Sequence, residues 1–243
     1  MHQPTQWAFD HTLIMAAGSG SRMMPLTTTI PKPMAPFNGT TLIGHRIHAM
    51  RIHTRQMYVT VGYLGDVLAQ HVVAMHVNGI FNTTGRPSGW WICNTLLSNV
   101  DVPVLVTTSD NLFDIDLYAL REDYEAAGRP ACMIVPVESL TAAGDRLAVE
   151  GREVRAIGPD VPGNLVASGM QVLRPARICQ VVTHKTEFHD IWAALIAKSE
   201  LLVSEVKPQA WAAVDTLAQL EALQADFRRV DGGDFPMSLA PQP

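Results

Sequence analysis

An α/β fold, built as three α/β/α layers around a mixed, mostly parallel sheet, is what this 243-residue sequence predicts. Three observations carry that expectation. Strand-like apolar runs alternate with helix-like runs along most of the chain, the pattern of repeated β–α units. A β-branched run at residues 102–107 has the look of a central strand buried on both faces. A loop of small residues, 16–21, joins the first strand-like run to a helical stripe further on.

The elements follow in order. Residues 13–16 read as the buried first strand. Ile43, Ile47 and Met50 form a helical stripe after the loop. Residues 57–61 read as a second strand, and Leu64, Val67, Leu68, Val72 and Met75 recur at i, i+3, i+4 spacing. A short strand at 79–82 precedes the turn Thr84-Gly85-Arg86-Pro87-Ser88-Gly89, and a helix is expected near 92–98. After the central strand come a helix at 117–126 and a strand at 131–137. Segments 147–149 and 154–157 flank Glu150-Gly151 as a hairpin. Strands are expected at 166–173 and 201–206 and helices at 188–197 and 215–227, with a short strand just before Asp215. Parallel strands joined this way take right-handed crossovers. No internal repeat or low-complexity linker appears, so residues 1–243 read as one domain with loose tails at 1–11 and 229–243.

Composition narrows the class without naming it. The chain is 47% hydrophobic and 17% charged with a net charge of −5, a balance that does not suggest nucleic-acid or anionic-membrane partners. No apolar run approaches the ~18 residues of a membrane helix, and the first ten residues lack the regions of a signal peptide. Cys93, Cys132 and Cys179 are widely spaced and form no disulfide or zinc pattern, which fits a reducing cytoplasm. His45 and His48 read as surface or partly packed residues rather than metal ligands.

The loop Ala16-Ala17-Gly18-Ser19-Gly20-Ser21-Arg22 has the chemistry of a phosphate cradle. Gly18 and Gly20 permit positive φ and let backbone N–H groups approach an anion. Ser19 and Ser21 add hydroxyl donors, and Arg22 adds a planar fork suited to phosphate oxygens. A Walker P-loop would need Gly-Lys-Ser/Thr, and a dinucleotide fingerprint would need glycine where Met23 stands. Gly-Ser-Gly by itself is also an ordinary turn. Asp110 follows the central strand, where open sheets bind ligands, yet alone it reads equally as a turn-forming Asx residue. Asp215 alone reads as a helix N-cap.

Residues 13–36, LIMAAGSGSRMMPLTTTIPKPMAP, resemble the signature of the nucleotidyltransferases that join an NTP to a sugar 1-phosphate or similar phosphomonoester. The resemblance implies a Rossmann-like fold and an Mg²⁺-dependent transfer of NMP with release of pyrophosphate. It implies that residues 16–21 bind the nucleotide and that Arg22 and Lys32 are catalytic cations. It makes Asp110 and Asp215 the Mg²⁺ ligands, because an aspartate after the central strand and a second in a Trp-x-x-Val-Asp-Thr setting both recur here. Gly85 and Gly89 fall where the family places its base-contacting segment. The implied partners are an NTP and a small phosphorylated acceptor, with no nucleic acid or membrane and no stated oligomeric state.

The acceptor is less defined. Trp91-Ile92-Cys93-Asn94-Thr95-Leu96-Leu97 partly matches a segment of members acting on phosphoalcohols or phosphonates, which makes Asn94 an acceptor candidate. Residues 166–170 resemble the small-residue turn that faces the acceptor in the sugar enzymes, adding Ser168 and Gly169. Against a plain hexose 1-phosphate, Ile157-Gly158-Pro159-Asp160 lacks the lysine expected there, and Gly89-Trp90-Trp91 replaces a Gly-Thr-Gly-like turn. Lys185 could stand in for the missing cation, or belong to a solvated loop. Two other readings are a glycosyltransferase using Asp114-Ile115-Asp116 and a non-catalytic nucleotide-binding paralogue, although the latter would be expected to have lost one of the four charged residues.

Overall fold

The computed structural model describes residues 6–140, 144–182 and 187–229. In chain order it contains β1 (Phe9–Met15), β2 (Pro36–Phe37), β3 (Thr40–Thr41), α1 (Leu42–Arg51), β4 (Thr54–Val61), α2 (Gly65–Val73), β5 (Gly79–Asn82) and α3 (Trp90–Asn94). Next come β6 (Val104–Thr108), β7 (Asn111–Asp114), α4 (Leu117–Ala126), β8 (Cys132–Glu138), β9 (Arg146–Glu150), β10 (Glu153–Gly158) and β11 (Leu165–Leu173). The chain continues through α5 (Pro175–Val181), α6 (Phe188–Ile196), β12 (Leu201–Val203), β13 (Ala210–Ala213) and α7 (Leu217–Arg229).

Nine strands make one sheet in the order β5-β4-β1-β6-β11-β8-β12-β10-β9. β1 pairs in parallel with β4 and β6, β4 with β5, and β8 with β12. β11 runs against both β6 and β8, and β10 against β9 and β12, so the sheet is mixed and largely parallel. Side chains alternate across it, as the pleat requires: Ile14 joins the core under α1, α2 and α4, while Leu13 joins the core under α3, α5 and α6. Those two cores give the three layers. A third, smaller core sets Phe37 and Leu42 with Leu112 and Val214 beneath Leu220, Leu223 and Phe227 of α7.

Local chemistry explains the element ends near the site. The β2–β3 hairpin turns on Asn38 and Gly39, with φ of 43° and 75°, the Asn-Gly pair that a two-residue turn favours. Thr41 caps α1 by accepting from the Gly44 amide at 3.0 Å. Asp116 caps α4 through the amides of Tyr118 and Ala119, so the Asp-x-Asp arrangement has a structural use.

Several boundaries differ from expectation. β1 starts at Phe9, which is fully buried, so residues 9–11 belong to the sheet and not to a loose tail. Arg229 ends α7, and the rest of the expected tail, 230–243, lies outside the described residues. The helix expected near 92–98 is interrupted at Thr95, whose extended backbone and side chain start a 3₁₀ turn, Leu96–Asn99. α5 and β7 were not foreseen. The cysteine expectation is overturned: Cys93 of α3 and Cys179 of α5 form a disulfide, with Cα atoms 5.6 Å apart. They are 86 residues apart in sequence, and only the packing of α3 and α5 on one face of the sheet brings them together. Cys132 is free and buried.

Candidate active site

The loop after β1 is held from both ends. Its Ala16 amide donates to Thr60 Oγ1 at 3.0 Å, and the Ala17 carbonyl accepts from the Tyr63 amide at 3.1 Å. The Tyr63 hydroxyl donates to the Thr27 carbonyl at 2.8 Å, and Thr27 Oγ1 donates to the Gly20 carbonyl at 3.1 Å. Gly20 has φ +61, and a Cβ on it would lie 2.5 Å from Lys32 Cβ. The glycine is therefore required twice, for its left-handed backbone and for the lysine stem beneath it.

Lys32 is buried, and its ammonium is the hub of the charged cluster. Nζ donates to Asp110 Oδ2 at 2.5 Å and to Asp215 Oδ1 at 3.0 Å. Arg22, much more exposed, reaches Asp215 Oδ1 at 2.8 Å. Arg22, Lys32, Asp110 and Asp215, spread across most of the sequence, meet at one point. A two-stranded ribbon makes this possible. β7 pairs with β13, Asn111 facing Ala213, and the Val214 amide donates to the Asp110 carbonyl at 2.9 Å. Asp110 stands at the start of one strand and Asp215 just past the end of the other, so the ribbon delivers both carboxylates together. Asp215 is not the cap of α7. That role belongs to Thr216 and Gln219, whose side chains exchange bonds with the amides of Gln219, Asp215 and Thr216.

Two cavities meet at this cluster. One, of about 740 Å³, is lined by Ala16, Ala17, Gly18, Gly20, Ser21, Arg22, Lys32, Gly85, Asp110 and Asp215. The other, of about 270 Å³, includes Gly169, Asp145, Gln171, Phe188, Trp192 and Trp211. Met15, Thr108, Asp110 and Asp215 line both. Ser19 and Gly89 do not line the first cavity; Gly89 is buried at the start of α3.

Two acceptor candidates are placed elsewhere. Asn94 is exposed on α3, where its side chain donates to the Trp90 carbonyl at 2.8 Å. Ser168 is fully buried, and its hydroxyl donates to the Val135 carbonyl at 2.7 Å, inside the sheet. Its carbonyl accepts from Asn111 Nδ2 and Trp211 Nε1, which anchors the bulge of β11. Gly169 alone of the three faces the second cavity; with φ +85 it passes so close that a Cβ would meet Asn111 Nδ2 at 2.2 Å. Lys185 lies outside the described residues.

Sequence reasoning missed other lining residues. Tyr63 and Thr60 sit at the C-terminal end of β4, and the rule applied to Asp110 would have found them there. Ser88 and Glu187 had no local signal. Ser88 Oγ donates to Glu187 Oε2 at 2.7 Å and accepts from the Phe188 amide, which ties the 84–89 turn to the start of α6. The Ser88 hydroxyl, and then the Ser88 amide at 3.1 Å, hold the Glu187 carboxyl below its ordinary range. His45 lies edge-on to Phe37 and Phe227, and burial lowers its pKa to about 4. It is partly packed, as expected, and lines neither cavity.

Among the described residues no group of three or more His, Cys, Asp or Glu side chains could hold a metal by itself. The donor set nevertheless suits Mg²⁺. Two hard carboxylate oxygens reach one ammonium, so they could share one cation whose remaining ligands are water and phosphate.

The nucleotidyl transferase family model matches residues 11–227. The chain is 25% identical over 205 residues to a mannose-1-phosphate guanyltransferase of Hypocrea jecorina, covering 78% of this chain and 56% of that protein. The chain thus spans just over half the length of that relative. Two solved structures share the fold. The inositol-1-phosphate CTP transferase of T. maritima has a TM-score of 0.68 at 14% identity, covering 88% of this chain and 93% of that one. The CTP:phosphocholine cytidylyltransferase of Streptococcus pneumoniae has a TM-score of 0.68 at 19% identity, covering 88% and 97%.

Proposed function

We propose that this chain, which belongs to the nucleotidyl transferase family, moves NMP from an NTP to a small phosphorylated acceptor and releases pyrophosphate. The observation that carries the reading is the boundary between the cavities, where Asp110 and Asp215 face both and Lys32 bridges them. A triphosphate in the larger cavity and an acceptor phosphate in the smaller one would meet there.

An acceptor phosphate oxygen attacks the α-phosphorus, and the bond from that phosphorus to the bridging oxygen of pyrophosphate breaks. The acceptor phosphate is already ionised near neutral pH, so no side chain need remove a proton. The site must align two anions and offset their repulsion. Mg²⁺, held by Asp110 and Asp215 when bound, would supply charge neutralisation at the reacting phosphates. Lys32, fixed beneath Gly20, screens the approach of one phosphate to the other. Arg22 is exposed enough to follow the departing pyrophosphate. Residues 16–21 hold the triphosphate through the members that line the cavity, Ser19 standing outside it, with Gly85 and Gly89 on the base side. Gly89, which does not line the cavity, acts there by shaping the turn.

The acceptor is a sugar 1-phosphate or a phosphoalcohol or phosphonate. Gly169 and the aromatic walls of Trp192 and Trp211 support its place in the smaller cavity. Asn94 and Ser168 line neither cavity, so the reading does not rest on them. No described helix is long and apolar enough to cross a membrane. We propose a cytoplasmic location, where the Cys93–Cys179 disulfide would be open to reduction.

The test is pyrophosphate release with Mg²⁺, each of the four NTPs in turn, and sugar 1-phosphates, phosphocholine and phosphonates as acceptors. Release that needs both an NTP and a phosphorylated acceptor supports the reading. Sugar transfer from a nucleotide sugar would favour the glycosyltransferase. Nucleotide binding without turnover across the whole panel would favour a regulatory role.

A further inference from the structure

Arg46 lies in the middle of α1 and is 1% exposed, yet it touches no carboxylate among the described residues. Burying a guanidinium is expensive unless its donors are satisfied and its charge is opposed. Here Nη2 donates to the Asn111 carbonyl, and the guanidinium lies 4.6 Å from the centre of the Phe113 ring. Nε is buried without a partner. Burial lowers the pKa to about 9, and the opposing influence is the Asp110 carboxylate. A residue kept under these conditions is held for what it grips.

What it grips is the end of the ribbon. Asn111 is the first residue of β7, next to Asp110 and opposite Ala213, two residues before Asp215. Its side chain donates to the Ser168 carbonyl at 2.8 Å, so Asn111 is tied to β11 by its amide and to α1 by its carbonyl. Phe113, on the same strand, supplies the aromatic face beneath the guanidinium. Arg46 lines neither of the two cavities, so it would reach no substrate held in them directly.

We propose that Arg46 is a positioning residue that clamps the β7–β13 ribbon from α1 and thereby sets how tightly Asp110 and Asp215 hold a divalent cation. The proposal rests on the two-carboxylate reading above. Partners that orient metal ligands commonly change affinity by about 10–100-fold when removed. The clamp is a donor and a charge, so lysine should replace part of it and methionine none.

Mn²⁺ alone is the probe, followed by the loss of its free-ion electron paramagnetic resonance signal on the full chain, with a thermal melt of each variant. Arg46→Met is expected to bind Mn²⁺ at least about tenfold more weakly while melting cooperatively, and Arg46→Lys to recover part of that loss. Should Arg46→Met lack a cooperative melt, Arg46→Gln is read by the same criterion. Wild-type-like Mn²⁺ affinity in a folded Met or Gln variant overturns the clamp, as does a lysine no better than methionine. Asp110→Asn serves as the control. If it leaves Mn²⁺ binding unchanged, the two-carboxylate reading fails and the clamp fails with it; if it abolishes binding, the outcome at Arg46 bears on the clamp alone.

Discussion

Gly20 lies directly over Lys32, so close that a Cβ on the glycine would stand 2.5 Å from the lysine Cβ. The loop after β1 and the Lys32 stem are thus one packed unit. Gly20→Ala must twist a left-handed backbone and push the lysine stem aside. It is expected to destabilise the chain by about 1–3 kcal/mol and to lower turnover about 100-fold through misplacement of Nζ. A melt and a pyrophosphate-release assay check this; unchanged turnover would show that the close approach does not matter.

Lys32→Ala should keep the fold and lose most turnover, about 10²–10³-fold, the scale for removing one preorganised charge donor. Asp110 and Asp215, no longer joined by an ammonium, would repel each other. Added Mg²⁺ should therefore raise the melting temperature of the variant more than that of the parent. Wild-type-like turnover would sink the catalytic assignment.

Thr216→Ala removes the hydroxyl that caps α7 and leaves Asp215 in place. A loss of about 1 kcal/mol is expected, a shift of roughly 2–4 °C for a chain of this size. Asp215→Asn should show the reverse pattern, with little change in the melt and a large loss of metal-dependent turnover. If Asp215→Asn destabilised as a cap mutant does, the division of roles between the two residues would be wrong.

Acid should loosen α7 through His45. Its folded pKa of about 4 lies below the ordinary 6.5, so the unfolded chain binds a proton that the folded chain refuses. The penalty is absent above pH 6.5 and grows as the pH falls from 6.5 towards 4. It reaches about 2 kcal/mol once partial exposure is allowed for. His45→Phe should flatten this part of the stability–pH profile measured by denaturant titration. An unchanged profile would mean that the ring between Phe37 and Phe227 is free to charge.

The disulfide gives a fifth expectation. Reduction, or Cys93→Ser, should lower stability by about 2–4 kcal/mol, because the bond closes a long loop in the unfolded chain. Thiol alkylation with mass spectrometry, before and after a reductant, reports the fraction bonded. A melt that ignores the reductant in a fully bonded sample would contradict this.

Much of the site was legible because its residues act locally. Gly18, Gly20, Arg22 and Lys32 sit within one short stretch, and Asp110 is marked by the strand before it. The large apolar periodicities were equally plain, and the helix at 117–126 matches α4. Features that depend on distant partners were not readable. Nothing near Cys93 points to Cys179, and nothing near Ser88 points to Glu187. β7 escaped notice because it is four residues long and its register depends on an equally short strand about a hundred residues later. The setting of Ser168 is illegible for a related reason: a small residue in a turn gives no sign that its hydroxyl is bonded inside the sheet. Arg46 has no local signal beyond a charge beside the Ile43, Ile47 and Met50 stripe.

The β7–β13 ribbon also sets a timetable. During synthesis the loop after β1, Lys32 and Asp110 are all made before Asp215, so the second carboxylate has no place until that residue is added. A nascent chain that has completed the sheet still holds only half of the proposed cation site. The proposed site is therefore complete only once β13 pairs with β7 and sets Asp215 beside Asp110.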